Sequence, residues 1–351
     1  MRKFLLKFLL IVVPLALLML NYAGYEKSGG DLNRIGKVSV PADYRKIFEG
    51  TYPETKLYRE YSFCDAAALR EFDVLTVGDS FSQQGISGYQ NLLARTSGLD
   101  IVNLDGYAYH LENPLQLLNT MSKGDFFSVV KPRYVVLEII ERRISWYGQS
   151  IDRNDSVDFA DFEARYRRDR AIVESGETTL GLDYFSDILK YFAFNALYNL
   201  DSRAFFSQVY NVRLTSDLFS VYPRRLLFFD EDILNVRFGD YRYVKVLNDD
   251  LNLIHDRLAE RGVSLIVMPT PDKSDLYGEF MEPGTLPKER FFKSLEEMDK
   301  RYMYINTKAL LLPYLRAGLK DVYYADDTHW SPIGAVIAAD GLRAAVSGAS
   351  D

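Results

Sequence analysis

Short apolar runs along this chain stop at glycine, aspartate or proline, and segments with helical spacing stand between them. Val74–Val77 is the first run, and it ends at Gly78-Asp79-Ser80. Ser87–Ser97 follows, with Tyr89, Leu92 and Leu93 at helical spacing. Asp100–Leu104 is a second run, and Asn113–Met121 reads as a helix. Arg133–Ile140 is nearly all apolar, as a central parallel strand is. Tyr243–Arg261 carries Val246, Leu247, Leu251, Ile254 and Leu258 on one side, ends at Gly262 and leads into Val263–Met268. Lys288–Arg301 reads as a charged helix and Tyr302–Asn306 as a fifth strand. Pro332–Val346 reads as an Ala-rich closing helix with proline in its first turn. Strands and helices alternating at this spacing predict an α/β, three-layer domain around a parallel sheet of about five strands.

The rhythm is absent from three stretches. Met1-Arg2-Lys3 precedes an apolar segment, Phe4–Leu20, interrupted by Lys7 and Pro14. A basic start before an apolar run is a secretory pattern. Asn21 is a poor small residue for an A-x-A type cleavage site ending at Ala23, so an uncleaved anchor over residues 1–23 is preferred to a cleaved signal. Either way the charges before the run hold its start in the cytoplasm and the rest is exported. Residues 24–71 form the second stretch. Glu26–Gly36 reads as a polar spacer, and Lys37–Phe72 as a lead-in that packs on the domain. The third stretch, about 145–245, reads as a partly helical insertion within the domain 72–351, covering or flanking its site. It holds a basic run, Arg165–Arg170, and aromatic clusters at Tyr184–Tyr198 and Leu226–Phe229. The basic run reads as a solvated helix face, with grip on an acidic polymer as the alternative.

Composition narrows the setting. A net charge of −7 argues against a general nucleic-acid binder. One cysteine, Cys64, rules out an internal disulfide, a bacterial-periplasmic style for an exported protein, and a buried apolar role suits it best. Tyr 25 and Phe 22 against Trp 2 is a high aromatic load, which fills a core or lines a groove for a sugar chain.

A strand that stops at Gly-Asp-Ser puts Ser80 at the carboxyl edge of the sheet, where open α/β sheets bind ligands. A helix N-terminus there favours developing negative charge, so Ser80 is a candidate nucleophile, with a plain helix N-cap as the alternative. The chain has three histidines, His110, His255 and His329. His329 lies in Y-Y-A-D-D-T-H-W-S-P behind Asp326 and Asp327, and it alone has an acid at relay spacing. His255 beside Asp256 reads as a solvent-exposed residue of a helix. No histidine pair has metal spacing and no phosphate-binding glycine motif occurs, so neither metal nor nucleotide nor other cofactor is expected.

Four blocks carry a resemblance: G-D-S-F-S (Gly78–Ser82), V-L-E-I-I-E-R (Val136–Arg142), P-D-K-S-D-L-Y (Pro271–Tyr277) and D-T-H-W-S-P-I-G-A (Asp327–Ala335). With them the chain resembles the SGNH, or GDSL-like, hydrolase superfamily, and within it the branch that O-acetylates exopolysaccharides such as alginate. The resemblance implies the SGNH fold and a triad of Ser80 as nucleophile, His329 as base and Asp327 as its orienting acid. Asp326 is the rival acid, at the D-x-x-H spacing of the wider superfamily. The resemblance also implies an oxyanion hole from the Ser80 and Gly106 amides, with Arg142 and Trp330 facing substrate. Pairing with Glu138 or Glu141 is the alternative for Arg142. His110 lines the acceptor side or stands behind it, and Lys273 and Tyr277 match the branch motif as loop-positioning residues.

Two departures stand out. The third block lacks the superfamily's asparagine, and the serine precedes the Asp-x-His element, the reverse of the alginate proteins. The function implied is an exported O-acetyltransferase working through an acetyl-serine onto a polysaccharide hydroxyl. Its partner would be a membrane-bound O-acyltransferase as acetyl donor, and its place the bacterial inner membrane with the domain in the periplasm. A carbohydrate acetylesterase with the same triad, or a non-catalytic polysaccharide-binding assembly protein, are the alternatives.

Overall fold

A computed structural model describes residues 2–23, 29–41, 43–65, 67–104, 113–174, 183–283 and 290–348. Eight strands occur among them: β1 (Arg59–Glu60), β2 (Phe72–Gly78), β3 (Ile101–Asn103), β4 (Pro132–Ile140), β5 (Val209–Arg213), β6 (Arg225–Phe229), β7 (Ser264–Thr270) and β8 (Met303–Tyr304). Six of these form one all-parallel sheet in the order β1-β3-β2-β4-β7-β8. Side chains alternate across the pleat. Val74, Val136 and Ile266 enter one core, and their neighbours Leu75, Val135 and Val267 enter the other. Both faces are therefore apolar, which is why the strands read as continuous hydrophobic runs.

Helices cover both faces. Tyr89–Ser97, Thr307–Arg316 and Pro332–Gly348 pack on the first, and Pro114–Lys123, Tyr241–Ala259 and Phe291–Glu296 on the second. The protein is thus a three-layer α/β sandwich. In the long helix Tyr241–Ala259 the buried apolar positions are Val244, Leu247, Leu251, Ile254 and Leu258, whereas Val246 faces outward. The helical period carries Val246 off the stripe that Leu247 and Leu251 define.

The structure has more strands than the pattern predicted. β1 comes from the lead-in and is only two residues long, too short to print a period. The insertion contains an antiparallel hairpin, β5–β6. The stretch read as a spacer is not free: Asp31–Gly36 is a short helix, and its Leu32 is buried with Val209 and Leu227 of that hairpin. The lead-in packs as expected, with Tyr44, Phe48, Tyr58 and Tyr61 in the cores.

From β2 the chain turns to β3 on one side, and β4 then lies on the other. This change of direction opens a crevice beyond the carboxyl end of β2. At the other extreme, Arg2–Ala23 forms a helix of mean hydropathy 2.4 whose side chains, Tyr22 apart, are exposed. Among the described residues it alone is long and apolar enough to cross a membrane, a property shared by anchors and signal sequences.

Candidate active site

The crevice is built first by the turn after β2. Gly78 lies so close to β4 that a Cβ there would stand 2.1 Å from Ser82 Oγ and 2.6 Å from the Glu138 carbonyl oxygen. Asp79 then accepts from the Phe81 amide at 3.0 Å and the Ile140 amide at 2.9 Å, clamping the turn to the end of β4. Ser80 opens a single 3-10 turn, Ser80–Gln83, rather than a long helix, and is exposed. Below it the fully buried Glu138 accepts from Ser82 Oγ at 2.9 Å and Thr270 Oγ1 at 2.7 Å. Burial, then the charge of Asp79, raise the Glu138 pKa well above the ordinary carboxyl value.

The second wall is the loop between Tyr323 and Trp330, which pair as an antiparallel bridge. His329 Nε2 lies 2.7 Å from Ser80 Oγ. Its Nδ1 lies 2.5 Å from Asp327 Oδ1, which also accepts from the His329 amide at 3.2 Å. Asp326 does not reach the imidazole; it is fully buried and pairs with Arg45 at 3.1 Å. The Phe81 ring lies 4.6 Å from the imidazole and backs it.

Distant segments fix this loop. The buried Lys273 ammonium donates to the Tyr324 and Asp327 carbonyls at 2.8 and 3.0 Å. Tyr277 Oη accepts from the Tyr323 amide, and Tyr44 Oη from the Ala325 amide. Arg45 reaches Asp327 Oδ2 at 3.0 Å and stacks 4.0 Å over the Tyr324 ring. Asp31 takes the Thr328 amide at 2.8 Å and its hydroxyl at 2.6 Å, and the Asn33 amide donates to the Asp326 carbonyl.

The charges follow from this packing. Burial opposes protonation of His329, but the hydrogen bond and charge of Asp327, with the charges of Asp31 and Asp79, leave its pKa raised. Burial pushes the Asp327 carboxyl upward, but His329 and Arg45 outweigh it and hold the pKa far below the usual carboxylate range. Asp31 is raised, by burial and by repulsion from Asp327. Lys273 is lowered to about 8 by burial, against the pull of the surrounding aspartates. Asp31, Asp327 and His329 offer ligand atoms within 4.8 Å of one another. These atoms already bond Thr328, Arg45 and each other, so the cluster is accounted for without a cation.

Other residues singled out from sequence lie elsewhere. Arg142 faces neither the nucleophile nor Glu138 or Glu141. It is buried 2.6 Å from Asp272 and 3.1 Å from Asp232, because a buried guanidinium needs opposite charge. Trp330 is fully buried beneath the site, edge-on to Phe81 at 5.0 Å, because the bridge to Tyr323 turns its side chain into the core and away from substrate. Gly106 and His110 lie outside the described residues. Cys64 is half-buried and packs against the second core, with Sγ also 3.5 Å from the Glu60 carbonyl oxygen and 3.8 Å from Arg59. His255 is partly buried rather than open to solvent. Asp31, Tyr44 and Arg45 were not foreseen as parts of the site, since nothing in S-G-G-D-L or P-A-D-Y-R links them to a histidine almost three hundred positions away.

Residues 227–350 match the family model described as ALGX, an SGNH hydrolase-like domain of acetyltransferase AlgX. No curated protein and no solved structure matches the chain. The matched segment contains β7, β8, Lys273, Tyr277 and the whole His329 loop, while Ser80 precedes it. It is this segment, about a third of the chain, that is similar to the SGNH hydrolase-like domain of acetyltransferase AlgX.

Proposed function

We propose that this protein is an exported O-acetyltransferase that moves an acetyl group through Ser80 onto a polysaccharide hydroxyl. The observation that carries the reading is the unbroken line Ser80 Oγ–His329 Nε2 at 2.7 Å and His329 Nδ1–Asp327 Oδ1 at 2.5 Å. In acylation Ser80 Oγ attacks the acetyl carbonyl while His329 Nε2 takes the hydroxyl proton. The tetrahedral intermediate collapses, and His329 returns the proton to the leaving group. A sugar hydroxyl then gives its proton to the same nitrogen and attacks the acetyl-Ser80 carbonyl, and as that intermediate collapses His329 returns the proton to Ser80 Oγ and frees the serine. Asp327 holds the imidazole tautomer and steadies the imidazolium. The Ser80 amide donates to no acceptor among the described residues, which leaves it available to an oxyanion; the Gly106 amide is the proposed second donor.

Retention of the apolar N-terminal helix would anchor the chain in the inner membrane with the sandwich in the periplasm. Eight residues lead from Ala23 to Asp31. They span at most about 29 Å, so the site would stay near the bilayer, within reach of a membrane-bound acyltransferase as donor. The exposed Ser80 equally admits water, which favours an acetylesterase as the second reading.

The test is intact-mass analysis of the full-length protein in detergent with an activated acetyl ester. An acetyl adduct absent from S80A, and cleared into acetylated sugar by an added oligosaccharide, is the expected result. Clearance by water at the same rate with or without sugar would establish the esterase. A folded protein that binds sugar and forms no adduct would leave a non-catalytic binding role.

A further inference from the structure

The segment that follows the membrane helix touches the catalytic loop at its most sensitive point. Thr328 lies between the acid and the base of the triad, and Asp31 holds both its amide and its hydroxyl. The approach is too tight for a side chain at the preceding position: a Cβ on Gly30 would stand 2.1 Å from the Asp326 carbonyl oxygen. The Asn33 amide adds a third tie, to that same carbonyl. These are three bonds from one short helix to two residues, Asp326 and Thr328, which flank Asp327. Leu32, fully buried against Val209 and Leu227, keeps the helix seated.

We propose that Asp31 is a positioning residue of the active site: it holds Thr328, the residue that joins Asp327 to His329, and its carboxylate adds a second negative charge behind the imidazole. The inference rests on the proposed role of Ser80 and His329. A bare structural clip would need only the hydrogen bonds. The charge is a separate property, and it acts on the base.

The groups facing His329 are few and named. Asp327 meets Nδ1, and Ser80 meets Nε2. Asp31 and Asp79 supply further negative charge from the N-terminal segment and the nucleophile turn. Arg45, from the turn Tyr44–Phe48, neutralises part of Asp327. Lys273 stands at the loop carbonyls on the buried side. Removing the Asp31 charge therefore lowers imidazolium stability and moves the acid limb of the rate profile to lower pH.

The experiment compares D31A, D31N and S80A as full-length proteins in detergent, with p-nitrophenyl acetate over a range of pH. D31A loses both ties, and kcat should fall about 10- to 100-fold with little change in KM. D31N keeps ties to Thr328 through its amide but not the charge. It should retain more rate than D31A, and its acid limb should lie at lower pH than that of the unaltered protein. The inference is overturned if the D31N profile keeps its position, or if D31N loses rate in proportion to folded protein, as a clip alone would. Should D31A fail to fold, D31N decides the matter by itself. If S80A retains the activity of the unaltered protein, the function proposed above falls; if S80A is inactive and D31N keeps the unaltered profile, only the role of Asp31 falls.

Discussion

Ser80 and His329, the proposed nucleophile and base, stand on two kinds of structure. Ser80 sits on a turn made almost wholly by its own strand and the next. Gly78 and Asp79 seal it to β4, and Glu138 supports Ser82 from below. The base loop has little regular structure of its own. It is carried by the side chains of Asp31, Tyr44, Arg45, Lys273 and Tyr277 and the Asn33 amide, brought together from three regions of the chain. The contrast teaches where each half is vulnerable. Errors in the nucleophile turn should act through the sheet, whereas errors in the base loop should act through single distant hydrogen bonds.

The sharpest way to break the comparison is at the loop acids. D327N leaves the shape but removes the charge that steadies the imidazolium and lets an amide NH2 hold the wrong tautomer, and should lower kcat by about 10³–10⁴. D326N, whose side chain meets Arg45 and not His329, should fall far less. Steady-state kinetics of the two variants side by side would overturn the triad assignment if D326N were the worse. The Asp327 carboxyl, held low, also stabilises the fold above the ordinary carboxyl range, and that contribution is lost as pH falls through its depressed value.

Next in size is Lys273. K273M keeps the length and removes the donor, stranding the Tyr324 and Asp327 carbonyls in the core. A loss of about 1–3 kcal/mol in denaturant unfolding should follow, together with a fall in kcat. Stability lost with full kcat in the folded fraction would show that the loop does not depend on this distant tie.

The pH profile is a smaller but more specific readout. His329 must be neutral to accept a proton, and its pKa is raised above the ordinary histidine value of 6.5. Rate should therefore fall on the acid side through a midpoint above that value, measured as kcat/KM for acetyl-ester cleavage. A midpoint below it would mean that the carboxylates around the loop do not govern the base.

The smallest effect is expected under the nucleophile. Glu138 carries a raised pKa, so the native protein should lose stability as pH rises from the ordinary carboxyl value of 4.5 toward the raised one. E138Q removes that penalty while keeping an acceptor for one hydroxyl, and should change stability by no more than about 1 kcal/mol near pH 5. Thermal melts against pH should be flatter for E138Q. An unchanged slope would mean that Glu138 is ionised in the folded protein.

Local pattern was enough for the frame and for the ends of the chemistry. Five of the six strands of the parallel sheet have apolar runs bounded by turn residues, and burial on both faces leaves that mark whatever the rest of the chain does. Gly78-Asp79-Ser80 and Asp327-Thr328-His329 were legible because a strand end and a short relay spacing are local facts. The two-residue β1 and the helix at Asp31 were not, being too short to show a period. Arg142 and Trp330 were read toward substrate from their places in the blocks that carry the resemblance. Burial decided otherwise, sending one to Asp232 and Asp272 and the other beneath Phe81.

By itself the sequence determined the α/β sandwich, the edge on which a nucleophile would stand and the histidine able to serve it, since each depends on spacing within a few residues. Only the tertiary structure decided that Asp327 rather than Asp326 meets the imidazole, and that Asp31, Arg45 and Lys273 hold the loop in place. Those choices depend on which distant groups share a buried volume, where each polar atom must find a partner and each charge an opposite.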